Sequence, residues 1–155
     1  ILFRGDTIRI YNFHLESVRF SRSDYKYVTE VIDPSAPAYS SSSRIILGKL
    51  RNAFGKRAAQ AHVVAEHVSS SPYPVILCGD FNDTPASYTY HLISKHLKDA
   101  FLETGSGVGA TYAGSIPLLR IDYILYSDQL EPFRFSRVPS SYSDHYPVSC
   151  YFKFR

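Results

Sequence analysis

The stretch Pro74-Val75-Ile76-Leu77-Cys78-Gly79-Asp80-Phe81-Asn82 decides how the rest of the chain is read. Pro74 to Cys78 is short, continuous and apolar, the pattern of a strand buried on both faces. Gly79-Asp80-Phe81-Asn82 then sets a carboxylate and an amide at the C-terminal end of that strand, where an open sheet presents polar groups to solvent. Upstream, Ile46, Leu50, Phe54, Ala58, Ala61, Ala65 and Val68 recur at helical intervals and predict an amphipathic helix. Lys49, Arg51, Lys56 and Arg57 read as its solvated face. Downstream, Thr84-Pro85-Ala86-Ser87 reads as a helix start and Tyr88 to Leu97 as a short helix.

Farther out, residues 1–4 and 7–15 are β-rich around Gly5-Asp6 and predict a hairpin, whose second strand delivers His14 near its end. Residues 16–43 lose the periodicity, contain Pro34, Pro37 and a serine run, and read as a long surface loop. A glycine-rich turn follows Phe101-Leu102, and three more strands are expected at 120–126, 132–138 and 147–154. Ser140 to His145 forms a polar loop before the last of them.

Composition bounds the function. With 155 residues, 45% hydrophobic and 20% charged, the chain is globular in character, and a net charge of +3 is too mild to imply nucleic-acid binding by itself. No apolar run approaches the ~20 residues a membrane helix needs. Cys78 and Cys150 lack a metal spacing and read as buried free thiols. The chain has no Met and opens on Ile1, so it is expected to be a trimmed piece of a longer protein, produced by proteolysis or truncation.

Three segments place acids, amides and imidazoles at the ends of apolar strands: Gly79 to Asn82, Arg120 to Leu125, and Ser143 to Val148. Phosphoester hydrolysis needs a hard cation, a group that orients or deprotonates water, and donors for developing oxyanion charge. Asp80, Asp122 and Asp144 are of the type that serves the first two needs; Asn82, His14 and His145 serve the third. An acid beside an imidazole also holds its tautomer.

Four motifs carry a family resemblance. Gly79-Asp80-Phe81-Asn82 resembles the GDFN signature of the endonuclease/exonuclease/phosphatase superfamily, Ile121-Asp122-Tyr123 its ID-aromatic strand, Ser143 to Val148 its SDH motif, and Asn12-Phe13-His14-Leu15 its N-x-H-L strand. They occur in the family's order. The resemblance implies an α+β fold, half of a DNase I-like four-layer α/β/β/α sandwich with a mixed, mostly antiparallel sheet and flanking helices. Residues 1–155 would be the C-terminal part of one such domain, with the N-terminal half and its metal-binding Glu absent.

The same resemblance implies roles. Asp80 would orient or deprotonate water, Asn82 would donate to the scissile phosphate, and His145, oriented by Asp122, would contact it. His14 would stabilise the transition state or protonate the leaving group, and Asp144, with Asp80, would approach the metal, Mg2+ or Mn2+. Tyr112 and Arg120 lie near the motifs and are candidate substrate contacts.

The implied activity is divalent-metal-dependent phosphoester hydrolysis, weak in a fragment that lacks half its domain. The missing half would be supplied in cis or trans, or the uncovered sheet would drive self-association. Substrates implied by the superfamily span nucleic acids, inositol phosphates and sphingolipids, with nucleic acid favoured. Arg19 to Tyr27 interleaves cations with aromatics, as phosphate- or base-contacting loops do, and as a solvated loop packing its rings also does. Two other classes compete: a binding module that keeps the fold without chemistry, and a structural association domain.

Overall fold

The computed structural model describes residues 1–3, 5–32, 41–116 and 118–155. A four-stranded sheet at its centre runs β3-β4-β6-β5, from β3 (Arg9–His14), β4 (Val75–Asp80), β5 (Lys98–Asp99) and β6 (Asp122–Tyr126). β3 pairs parallel to β4, and β6 pairs antiparallel to both β4 and β5. β1 (Leu2–Phe3) and β2 (Asp6–Thr7) form a separate antiparallel pair, and β7 (Leu130–Arg137) with β8 (Val148–Phe154) form another.

The apolar run 74–78 is buried from both sides, as its composition requires. Val75 and Leu77 point into a core shared with Ala61 and Val68 of helix α2 (Ser41–Ser69) and Tyr90 and Ile93 of helix α3 (Tyr88–Ile93). Ile76 and Cys78 point the other way, into a second core with Ile124, Tyr126, Leu130, Phe152 and Phe154 beneath the β7–β8 pair. The layers are therefore helices, mixed sheet and a second small sheet, an α+β arrangement. Leu77, with 0% exposure, is a site where truncation to Ala costs about 2–5 kcal/mol.

Several elements differ from the sequence reading. The expected hairpin shrinks to Leu2↔Thr7 and Phe3↔Asp6 around Gly5, which has φ 92°; Arg9–His14 leaves it to join β4 instead. The central sheet offers that strand six ladder partners, more burial than a two-stranded ribbon could provide. Within the expected loop 16–43, residues Arg22–Ile32 form helix α1 and Ser41–Ser43 already belong to α2; residues 33–40 lie outside the described residues. The start of α1 is a reciprocal capping box, in which Ser21 N–H donates to Asp24 Oδ2 at 2.6 Å and Asp24 N–H to Ser21 Oγ at 3.3 Å.

Helix α2 forms as expected but is turned. Its buried line runs Ile46, Ala53, Arg57, Ala61 and Val68, leaving Phe54 48% exposed. Arg57 is therefore a core residue rather than part of the wet face. Ser87 caps α3 by accepting from Tyr90 N–H at 3.1 Å, and Asp99 caps helix α4 (Ala100–Thr104) by accepting from Phe101 N–H at 2.9 Å. Cys78 and Cys150 are free and half-buried. Among the described residues, no helix is long and apolar enough to cross a membrane.

Candidate active site

Strand register places three of the expected residues in one row. His14 lies opposite Asp80 across β3 and β4, and Asp80 lies opposite Asp122 across β4 and β6. Each stands at the end of its strand, so the row forms the rim of the sheet. Gly79 is required at this point because a Cβ there would overlap the Phe13 carbonyl oxygen. Phe81, with 0% exposure, anchors the following turn by packing its ring against Phe13 and Tyr123, at centroid separations of 5.2 and 4.6 Å.

Beyond that anchor the chain turns through Asn82, whose φ of 50° is left-handed, a conformation Asn tolerates better than other non-glycine residues. Asn82 N–H donates to Asp80 Oδ1 at 2.7 Å, and its side-chain amide donates to Leu15 O at 3.0 Å and Asp80 Oδ2 at 3.1 Å. Both side-chain hydrogens are thus engaged, and donation to a phosphate requires release of the Asp80 bond. Asn82 also bridges the ends of the two strands that carry His14 and Asp80.

His145 arrives from the loop before β8. A single bridge pairs it with Tyr112, and its ring meets that of Tyr112 edge-on at 5.5 Å. His145 Nδ1 lies 2.9 Å from Asp122 Oδ2, while Nε2 lies 3.9 Å from Asp80 Oδ2; His14 Nε2 approaches the same oxygen at 3.3 Å. Asp80 therefore sits between two imidazoles, one of them held by a second carboxylate. Burial raises the pKa of Asp80, the nearby charge of Asp122 adds to the effect, and the Asn82 N–H and both imidazoles oppose it.

One cleft is lined by His14, Asp80, Asn82, Asp122, Asp144 and His145, together with Tyr112. Arg120 is not among the lining residues. It is 7% exposed, donates to Asp99 Oδ2 at 2.6 Å, and lies 4.8 Å from the ring centroids of both Phe101 and Tyr123. Its guanidinium is engaged in the core, away from the lining of the cleft where a substrate contact is expected. Tyr112 shares a hydrogen bond with Tyr25, and burial, followed by that bond, pushes its phenol well up.

One residue that the sequence reading passed over, Thr111, ties this site together. Thr111, 1% exposed, accepts through Oγ1 from the N–H groups of Ile121 and Asp122 at 3.0 and 3.1 Å, and its carbonyl accepts from Tyr146 N–H at 2.7 Å. One threonine thus ties the Asp122 strand to the His145 loop. Arg57 pairs with Asp83 at 3.1 Å; its four-residue spacing from Ala53 and Ala61 was the signal that could have placed it inside. On the cleft's outer wall, Val18, Arg19, Phe20 and Tyr25 come from the segment read as a loop.

The donor set suits a hard divalent cation. Asp80, Asp122 and His145 each offer one ligand atom, all within 4.8 Å of one another. Two adjacent carboxylates, one with a raised pKa, are an arrangement that a cation between them relieves. Asp144, expected as a ligand with Asp80, is exposed and lies outside that close group while lining the same cleft. The two carboxylate oxygens are hard donors, and the imidazole nitrogen is a softer one.

The fold recurs among solved structures. A conserved protein of unknown function from Enterococcus faecalis aligns with TM-score 0.58 and 22% identity, over 66% of this chain and 46% of that one. A mannosyl-6-phosphatase from Bacteroides thetaiotaomicron aligns with TM-score 0.52 and 19% identity, over 97% and 53%. The human Nocturnin catalytic domain, determined with a bound sulfate anion, aligns with TM-score 0.59 and 18% identity, over 98% and 49%. The chain thus spans about half the length of these structures. No curated protein matches it significantly in sequence. The profile of the Endonuclease/Exonuclease/phosphatase family matches residues 9–145, and the chain belongs to that family.

Proposed function

We propose that the cleft is the active site of a divalent-metal-dependent phosphoester hydrolase, of the phosphodiesterase or nuclease kind. The observation that carries this reading is the in-register row His14, Asp80 and Asp122, completed by His145 on the Asp122 carboxylate. It gathers a base, two imidazoles and an acid on one rim, which a core-packing role would not require.

Asp80 orients or deprotonates the attacking water, and burial with the nearby Asp122 charge holds its pKa above the ordinary carboxylate value. Asp122 accepts from His145 Nδ1–H and leaves Nε2 facing the cleft, where it contacts a phosphate oxygen. His14, with its side chain 68% exposed, meets the developing negative charge or protonates the leaving group. Asn82 donates to the phosphate after exchanging its bond to Asp80. Asp80, with Asp144 at the rim, would hold Mg2+ or Mn2+, which when bound would neutralise phosphate charge.

The wall of Arg19, Phe20 and Tyr25 supports a nucleic-acid phosphodiester, because a cation beside half-exposed rings offers both a phosphate contact and a stacking surface. The test is a screen of the full-length protein with Mg2+ or Mn2+ against single-stranded DNA, RNA, inositol phosphates and sphingomyelin. Metal-dependent cleavage that disappears in Asp80→Ala and His145→Ala is the expected result. Binding of a phosphate ester without turnover would instead support the non-catalytic module.

A further inference from the structure

Among the described residues, the buried charges Asp24, Asp99 and Arg120 are accounted for by a helix cap or the Asp99–Arg120 pair, but Arg57 is not. Arg57 lies on the inner face of α2, 1% exposed, and reaches two separate loops. Its Nε pairs with Asp83 Oδ2 at 3.1 Å, directly after the Asp80–Asn82 turn, and its Nη1 donates to Glu16 O at 2.9 Å, directly after His14-Leu15. A buried cation is costly unless its donors are satisfied, and here the partners that satisfy it are the two loops that end β3 and β4.

The Glu16 junction is held from every side. Glu16 N–H donates to Gln60 Oε1 at 2.9 Å, one helical turn beyond Arg57, and Lys56 approaches Glu16 Oε1 at 3.1 Å. Leu15 N–H donates to Asp80 O at 2.9 Å, and Leu15 O accepts from the Asn82 amide at 3.0 Å. The guanidinium therefore closes a ring that runs from α2 to Glu16, through Leu15 to Asn82, and back through Asp83. Asn82 holds a left-handed φ of 50°, and its bonds to Asp80 and Leu15 fix the turn there.

We infer that Arg57 is a positioning residue for the hydrolytic site: by bridging Asp83 and the Glu16 carbonyl it holds the Asn82 turn against the chain that leaves His14, while the strand ladder sets the His14–Asp80 pair. The inference rests on the hydrolase reading for its kinetic consequence, but the geometry it asserts has its own readout. A fork donor matters here. Lysine at this position keeps the charge toward Asp83 and loses the second directed bond to Glu16 O.

The experiment compares wild type, Arg57→Ala and Arg57→Lys in the full-length protein, each with and without millimolar guanidinium chloride. Expected for Arg57→Ala is a kcat per folded molecule at least 10-fold lower with KM within 2-fold, partial recovery on adding guanidinium, and a displaced Asn82 side-chain amide resonance in selectively labelled protein that moves back with the rescue. Arg57→Lys is expected to melt closer to wild type than Arg57→Ala does while keeping most of the kcat loss. If Arg57→Ala does not fold, Arg57→Lys carries the same measurements.

A purely structural role predicts a lower melting temperature with kcat per folded molecule and the Asn82 resonance both unchanged, and that result overturns the inference. Should wild type cleave no phosphoester while the Asn82 resonance still shifts, the hydrolase reading fails and the positioning stands. If neither kcat nor the resonance responds, the positioning fails whatever the activity.

Discussion

His145 Nδ1 lies 2.9 Å from Asp122 Oδ2, joining the loop before β8 to the first residue of β6 across 23 positions of sequence. Asp122 is in turn fixed through its backbone N–H by the buried Thr111 hydroxyl. The imidazole is thus oriented by a carboxylate whose backbone is anchored to the core.

Replacing that carboxylate is the most direct check on the pair. Asp122→Asn keeps the shape but allows the wrong imidazole tautomer, so kcat is expected to fall on the order of 10²–10⁴-fold. Steady-state kinetics with Mg2+ or Mn2+ on the substrate found in the screen read this. A variant with wild-type kcat would show that Asp122 does not orient a catalytic imidazole.

A bound cation should also stabilise the fold by mass action. At a hundred times its Kd, a ligand specific for the native state adds about 2.7 kcal/mol, which raises Tm by several degrees, and chelation should reverse the rise. The Asp80→Asn and Asp144→Asn variants should show little of it. An equal rise in these variants would place the ion away from Asp80 and Asp144.

Arg120 separates a structural cation from a substrate contact. Removing one partner of its buried pair with Asp99, in Arg120→Met or Asp99→Ala, is expected to cost about 3–5 kcal/mol in urea unfolding. KM for the folded fraction should stay within 2-fold of wild type. A raised KM with unchanged stability would return Arg120 to the substrate.

Asp24 gives a pH dependence of known sign. Its hydrogen bonds with Lys49 and Ser21 lower its carboxyl from the ordinary 3.8 to about 2 in the folded protein. A depressed folded pKa contributes stability that is complete above the unfolded value and is lost as pH falls through the folded one. The stability difference between wild type and Asp24→Asn should therefore be constant from pH 5 to 7 and shrink between about pH 4 and 2. A difference that stays flat down to pH 2 would mean that the Lys49 and Ser21 contacts do not form in solution. Because this pair docks α1 on α2, loosened α1 should also disturb the Phe20–Tyr25 wall.

Much of this protein was legible as local pattern. Val75 to Cys78 announced a doubly buried strand because two-sided burial needs apolar residues at every position, and Ser87 announced a helix start because a capping hydroxyl acts within three residues. The acids and imidazoles could be selected because His14, Asp80, Asp122 and His145 end apolar runs, where only solvent-facing sheet ends accommodate charge. Helix α1 was missed although Ser21 and Asp24 spell a capping box. The polar and charged residues around them masked its periodicity, and its docking depends on the distant Lys49.

What the chain by itself determined was which segments would be strands and helices and which chemical groups would stand at their ends, since these follow from short-range sterics and from the burial demanded by apolar runs. Only the tertiary structure decided that β3 joins β4 in parallel, that Arg57 faces inward to hold two loops, and that Arg120 turns to Asp99 rather than to the cleft. Those outcomes depend on partners 21 to 66 positions away. Burial of a charge is decided by whether such partners converge on it, and convergence is a property of the packed molecule.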